Sequence, residues 1–452
     1  MNAKNYLLNM LLVGSSIMML ASCVKNDVYD PDKAPKKTED LVVPEGFDWK
    51  TSQDVTVAMT SPRAASVAVY TDKSCTQQIA EIPVAEGKSS ITLEVSKSIS
   101  SIWFEYALTS GGKEVMEVPI QKTTTRANDA ATWVASAIFP DKIDASEANY
   151  PNYVYYQPAK NGFGTLMFED RWPETADYDF NDFVVNYNIK AQAVPTANGE
   201  SLDYTNLTVT LKLRAMGGSL PYRFCMQIGH RLATDAAPGT LSNTSMEILR
   251  EDIKGITDVK STFEGGSVEL IEGTKYVILA LNGFDKLRGI NGGSFYNTEK
   301  AHLYGGEVPT ITFTLKIDEK RHHNSNPQLK YFFDGFGAQT AFDYFLQKTD
   351  GSNREIHLID WMPTELYTTY SQDAGATTSS GIYYCSDKRF VWGLKVPEEI
   401  AWPVERQDIT GVFLKFSEWI ERGSDDLVNN VDNITWYKNQ YLTLYSDLYI
   451  KP

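Results

Sequence analysis

The chain has 452 residues, of which 42% are apolar and 12% aromatic, and a formal net charge of −16. That much apolar side chain excludes a disordered polymer and suffices for two or three cored domains. The acidic balance argues against nucleic acid as a partner, because phosphate binding rests on a positive stripe that no segment supplies.

Lys4, the apolar run from Tyr6 to Leu20 and the ending Leu20-Ala21-Ser22-Cys23 read as a lipoprotein signal peptide over residues 1–22. The run is shorter than the roughly 20 residues of a bilayer span, and Asn9 and Gly14-Ser15-Ser16 interrupt it. Cleavage before Cys23 and lipidation of that cysteine are therefore expected. Several acyl chains, at about 0.8 kcal/mol per buried CH₂, would hold the protein at a membrane. Residues 24–46 are polar and charged, with prolines at 31, 35 and 44, and read as a tether. Lys25-Asn26-Asp27 resembles, with a departure at Asn26, the lysine-plus-acid pattern that sorts lipoproteins outward in some Gram-negative groups. The expected location is the outer membrane or cell surface of such a bacterium.

Residues 47–120 read as a small Ig-like β-sandwich. DVTVAM, ASVAVYT, SSITLEVS and SIWFEYALTS are short runs of β-branched and aromatic residues, broken at Pro62, Gly87 and Gly111-Gly112. Residues 121–132 are polar and rich in threonine, the pattern of a linker. From 133 to 452 the chain is again mostly strand. Leu207, Val209, Leu211 and Leu213 alternate with polar residues, as do Ile311, Phe313, Leu315 and Ile317, so each run buries one face. Tyr276–Leu281 and Tyr331–Phe333 read as more deeply buried strands, and Asn282-Gly283, Gly292-Gly293 and Gly305-Gly306 as turns. Ile409, Val412, Phe413, Phe416, Trp419 and Ile420 fall on a 3.6-residue stripe, which predicts one helix stopped at Gly423, although Gly411 weakens its start. The predicted fold is mainly β: a small β-sandwich, then a larger β-sandwich-like region with one packed C-terminal helix.

The densest chemistry lies in LMFEDRWPETADYDFNDFVVNYNI, residues 166–189. An apolar strand ends in Glu169 and Asp170, and the following loop carries Asp177, Asp179, Asn181 and Asp182. Hard cations such as Ca²⁺ take six to eight oxygen ligands, and an Asp-x-Asp-x-Asn alternation can turn every second side chain toward one centre. The loop departs from an EF-hand, since its sixth position is Asp182 rather than glycine and its twelfth is Asn188 rather than glutamate. Its flanks are strands, so the expectation is a strand-loop-strand Ca²⁺ site made by these six residues. The plain alternative is a hydrated turn capped by Asp and Asn.

The FED-x-WP and DYDFNDFVVNY stretches resemble the signature of LruC-type domains of secreted and lipid-anchored bacterial proteins. The likeness continues through Arg354–Leu358, Trp361–Thr364, Phe390–Gly393, Val396-Pro397, Trp402-Pro403, Phe416–Trp419 and Trp436-Tyr437, spanning about residues 133–445. It departs at Ile359-Asp360-Trp361 and in the 371–381 loop. Similar DFND loops occur in calcium-dependent β-sandwich modules of adhesins, so the resemblance implies binding rather than catalysis.

No GxSxG elbow, HExxH, P-loop or GxGxxG pattern is present, so a non-enzyme is expected, with polysaccharide processing as the remote alternative. His322-His323 sits in a polar loop, and His357 lies between Ile356 and Leu358 as a structural histidine would. Cys75, Cys225 and Cys385 are widely spaced and leave one disulfide open. Two functions follow. One is an adhesin or glycan- or peptide-binding protein, with Trp361, Tyr367, Tyr383 and Tyr384 as stacking candidates unless they are core. The other is a structural envelope subunit that calcium merely stabilises.

Overall fold

The computed structural model describes residues 37–123, 132–145, 153–229, 248–320, 331–374, 382–422 and 433–452. Cys23, the signal peptide, Gly423 and His322-His323 lie outside them.

Alternation of apolar and polar residues makes the first eight strands: β1 (Ser52–Ser61), β2 (Ala65–Tyr70), β3 (Gln78–Val84), β4 (Gly87–Ser96), β5 (Ser101–Ala107), β6 (Lys113–Pro119), β7 (Gln121–Thr123) and β8 (Thr132–Ile138). Val55, Val57 and Met59 on β1 are buried while Thr56, Ala58 and Thr60 face water. β1 pairs antiparallel with β4 and parallel with β8, giving the sheet order β4-β1-β8-β7. Its inner face shares a core with β2, β3 and β5, where Phe104 meets Phe139 edge to face at 5.8 Å.

The later strands are β9 (Val154–Gln157), β10 (Gly164–Phe168), β11 (Phe183–Pro195), β12 (Leu202–Ala215), β13 (Tyr222–Ile228), β14 (Ile253–Ser261), β15 (Ser267–Leu270), β16 (Val277–Asn282), β17 (Thr310–Asp318), β18 (Phe342–Lys348), β19 (Glu355–His357), β20 (Gly393–Val396), β21 (Trp402–Pro403) and β22 (Tyr449–Ile450). One 11-stranded sheet runs β14-β17-β12-β11-β9-β3-β2-β5-β6, with β10 joining β11 to β20. The pairing of β3 with β9, Ala80 opposite Tyr155, carries hydrogen bonding from the amino-terminal strands into the larger region. Residues 37–452 cluster as one compact unit. A five-stranded sheet, β15-β16-β13-β18-β19, packs on this sheet through Phe183 stacked on Phe224 at 5.7 Å and Tyr187 against Tyr344 at 5.5 Å.

The molecule is mainly β, with several antiparallel sheets and few short helices, as its periodicities predict. Three local readings change. Part of the stretch read as a tether, up to residue 46, is packed: Leu41 and Val43 are buried beside Phe47 and Trp49, and Asp408 accepts hydrogen bonds from Thr38 N and Oγ1, both at 2.8 Å. Tyr331–Phe333 does not form a strand, since the buried Glu319 carboxylate accepts from Phe332 N (2.8 Å) and Phe333 N (3.0 Å), two successive donors that a turn can aim at one group. Following α1 (Tyr370–Ala374), the single predicted helix is two, α2 (Ile409–Val412) and α3 (Phe416–Arg422). Phe413 between them is extended, bridges Leu442 and is followed by Leu414 N donating to Tyr441 O at 2.9 Å. The apolar stripe survives the break: Phe416, Trp419 and Trp436 form one aromatic cluster, and Trp419 meets Trp49 edge to face at 5.9 Å.

Among the described residues no helix is long and apolar enough to cross a membrane.

Candidate metal centre

β10 and β11 are antiparallel neighbours closed by the pair Phe168–Phe183, so the chain between them, Glu169 to Asp182, must return to its starting point. Its first leg is fixed by Glu169 N donating to Trp392 O (2.9 Å) and by Trp172, buried and stacked on Tyr370 at 5.2 Å. In its second leg Tyr178 and Phe180 take left-handed backbone angles, φ 58° and 52°. Bulky residues adopt that region at a cost of about 1–3 kcal/mol each, and surrounding structure must hold them there. Here both rings are buried in the C-terminal core, Tyr178 at 5.4 Å from Phe390. Anchoring these two rings sets Asp179, between them, beside Asp177 and Glu169.

Glu169, Asp177 and Asp179 each present a carboxylate oxygen, and the three lie within 4.8 Å of one another. Glu169 and Asp179 are buried, whereas Asp177 is exposed, so the cluster opens to water on one side. An acidic triad of this spacing, with two members buried, can hold a metal ion. The remaining oxygens strengthen that fit. Glu169 Oε1 accepts from Phe180 N at 2.7 Å, but its Oε2 is buried with no donor, and so is Asn181 Oδ1. A buried, unmatched oxygen costs about 1–3 kcal/mol, a cost that a bound cation would remove.

Burial drives the Glu169 carboxyl well above the ordinary carboxylate range, and the charges of Asp182, Asp179 and Asp177 push the same way. Asp179 is raised by burial, then by Asp177 and Asp182. Asp182 is raised by burial, then by Asp170. Without a cation these groups favour protons.

The six residues predicted from sequence divide. Glu169, Asp177 and Asp179 meet. Asn181 sits beside them, its Nδ2 donating to Pro403 O at 3.2 Å and its N to Asp179 Oδ1 at 3.0 Å. Asp182 Oδ2 accepts from Asp170 N at 2.8 Å. Asp170 turns away to accept from Leu220 N at 3.0 Å; burial raises its pKa, and the nearby Arg288 charge opposes that shift.

Residues outside the loop complete the wall. Gly217 N and Gly218 N donate to Asn181 O (2.9 Å) and Asp182 O (3.2 Å). A Cβ on Gly217 would stand 2.1 Å from Asn181 Oδ1 and 2.8 Å from Glu405 Oε2; one on Gly218 would stand 2.4 Å from Asp170 Oδ2. Glu405 is raised to about 7 by burial and by the charge of Asp177. The glycine pair ending a strand was a visible signal in the sequence, whereas Glu405 had none. Gly217→Ala is expected to destabilise the protein by about 1–3 kcal/mol, the usual cost of overpacking, and thermal unfolding checks it.

Of the aromatics considered for stacking, Trp361, Tyr367 and Tyr384 are buried, and only Tyr383 is half exposed. His357 is buried in a separate cluster. Its Nδ1 lies 2.9 Å from Asp343 Oδ2 and its Nε2 3.0 Å from Glu355 Oε2, with the ring stacked on Phe345 at 4.3 Å. Burial alone would lower the His357 pKa, but Asp343 and Glu355 outweigh it and hold it at about 9. Cys75, Cys225 and Cys385 form no disulfide.

Fold and site together define a mainly β protein of several antiparallel sheets, carrying an acidic triad, two of its members buried, at a strand-loop-strand turn. The chain belongs to the family described as a domain of unknown function, DUF4842, which matches residues 203–437, more than half of the sequence. That match begins after the acidic loop. A crystal structure described as a "Putative lipoprotein from Bacteroides ovatus" shares the fold with a TM-score of 0.61 at 17% identity, covering 84% of this chain and 99% of that one. No curated protein matches the sequence.

Proposed function

We propose that this chain is a non-catalytic, lipid-anchored envelope protein whose LruC-type region is locked by Ca²⁺ at the 169–182 loop. The observation that carries the metal is the triad of Glu169, Asp177 and Asp179 with a buried, unmatched oxygen on Glu169 and another on Asn181. Oxygen-only donors at a turn suit a hard cation, and an opening on the Asp177 side suits an ion that keeps some water. Support for the anchor comes from the Leu20-Ala21-Ser22-Cys23 motif and from the lipoprotein description of the structural relative.

The burial of Glu169, Asp179 and Asn181 favours an ion that fixes the fold over one that touches a ligand directly. The burial of Trp361, Tyr367 and Tyr384 likewise removes most of the aromatic rim that an adhesin for glycans or peptides would offer. The structural-subunit reading therefore gains, with another envelope protein as partner.

Melting temperature measured in saturating calcium and in chelator tests the metal: calcium is expected to raise it, and coincident melts would sink the proposal. A glycan array and a pull-down from envelope extract separate the two functions. A stoichiometric protein partner supports the subunit, whereas glycan binding lost in chelator supports the adhesin. Turnover of a polysaccharide would overturn both.

A further inference from the structure

The segment that follows β21 lies directly over the acidic loop. Arg406 N donates to Asp179 Oδ2 at 2.7 Å, Ile409 N to Tyr178 O at 2.9 Å, and Pro403 O accepts from Asn181 Nδ2 at 3.2 Å. Glu405 lies in the middle of this stitching, its own N held by Thr298 O at 3.0 Å. Glu405 Oε2 is buried without a donor, and it converges with the equally unmatched Asn181 Oδ1 on the one face of Gly217 that lacks a side chain. The Thr298 hydroxyl faces the Glu405 carboxylate and can serve one of its oxygens, but nothing donates to Asn181 Oδ1, and two acceptors aimed at one space suit a cation. Asn181 is fully buried, so water from bulk does not serve its Oδ1.

Resting on the calcium reading above, we infer that Glu405 is a ligand of the same ion, which thereby ties the loop between β10 and β11 to the segment leading into α2 and the C-terminal aromatic core. Only two parts of the chain then hold the metal, and they are more than 200 residues apart. The first gives the triad and Asn181, and the second gives Glu405. Removing the ion leaves the Glu405 and Asp177 charges opposed, with only the Arg406 charge acting against that repulsion at Glu405, so the cover should loosen. Calcium thus regulates how firmly the C-terminal segment is seated.

The test uses the full-length protein and calcium alone. Calorimetric titration of the Glu405→Gln variant, nearly the same shape with one charge fewer, is expected to show affinity weakened by at least about tenfold, since ligand charge sets calcium affinity. Hydrogen exchange on the unaltered protein is the second measurement: backbone amides of residues 404–412 are expected to exchange faster in chelator than in calcium. Unchanged affinity in Glu405→Gln, or equal exchange of 404–412 in calcium and chelator while calcium still binds, overturns the inference and leaves the calcium site standing. Absence of any calcium binding to the unaltered protein overturns both.

Discussion

A His357→Leu variant is expected to lose about 3–5 kcal/mol of folding stability, the cost of removing one partner from a buried ion pair. Two carboxylates depend on this ring. Asp343 takes one ring N–H and Glu355 the other, and Glu355 also accepts from Thr364 N (2.8 Å) and Thr364 Oγ1 (2.6 Å). Both ring nitrogens can donate at once only in the imidazolium form. The pH dependence follows from the raised pKa of about 9 against 6.5 for an unperturbed histidine. Below 6.5 both folded and unfolded states hold the proton, and the stabilisation is complete. Between 6.5 and about 9 the folded state keeps the proton and the unfolded state releases it, so stability falls as pH rises, by about 3 kcal/mol in all. Glu319 and Glu405, each raised by burial to about 7, lose stability in the same direction but over the window from 4.5 to 7. Because the raised carboxyls of Glu169, Asp179 and Asp182 can titrate in the same range, the histidine is isolated by the difference between the unaltered protein and His357→Leu in melts from pH 7 to 10. A flat profile there, or an equal slope in His357→Leu, would refute the charged-histidine account.

Asp179→Ala is expected to abolish the calcium-induced rise in melting temperature. In the unaltered protein, at 1 mM calcium and a dissociation constant of about 10⁻⁴–10⁻³ M, linkage predicts about 0.4–1.4 kcal/mol of stabilisation, growing at saturating metal. The variant also removes acceptors for Asn181 N and Arg406 N, so its baseline in chelator should fall by about 1–3 kcal/mol. The informative quantity is the difference between calcium and chelator within each protein. A preserved difference in Asp179→Ala would show that any bound calcium sits elsewhere.

The two clusters show how far periodicity and composition reach. Alternation at Leu207–Leu213 and Ile311–Ile317 predicts strands whose inward residues are all buried, because a period of two admits one buried face whatever the partner. The acidic loop was visible for a similar reason: its residues are neighbours in sequence, and a closed β10–β11 turn leaves them little room to diverge. The stripe from Ile409 to Ile420 predicted correctly which side chains are buried but not the break at Phe413, which comes from bridging Leu442 far along the chain.

By itself, then, the sequence determined a mainly β architecture and a turn crowded with oxygen-bearing side chains, both features carried by adjacent or evenly spaced residues. Only tertiary structure decided that Asp170 turns aside toward Leu220 while Glu169 turns in. The same is true of Gly217 and Glu405 walling the cluster, and of Asp343, Glu355 and His357 sharing one proton-dependent contact. The physical reason is distance along the chain: each of those arrangements depends on sheet register and on burial beside a remote segment, and neither is encoded in the spacing of the residues involved.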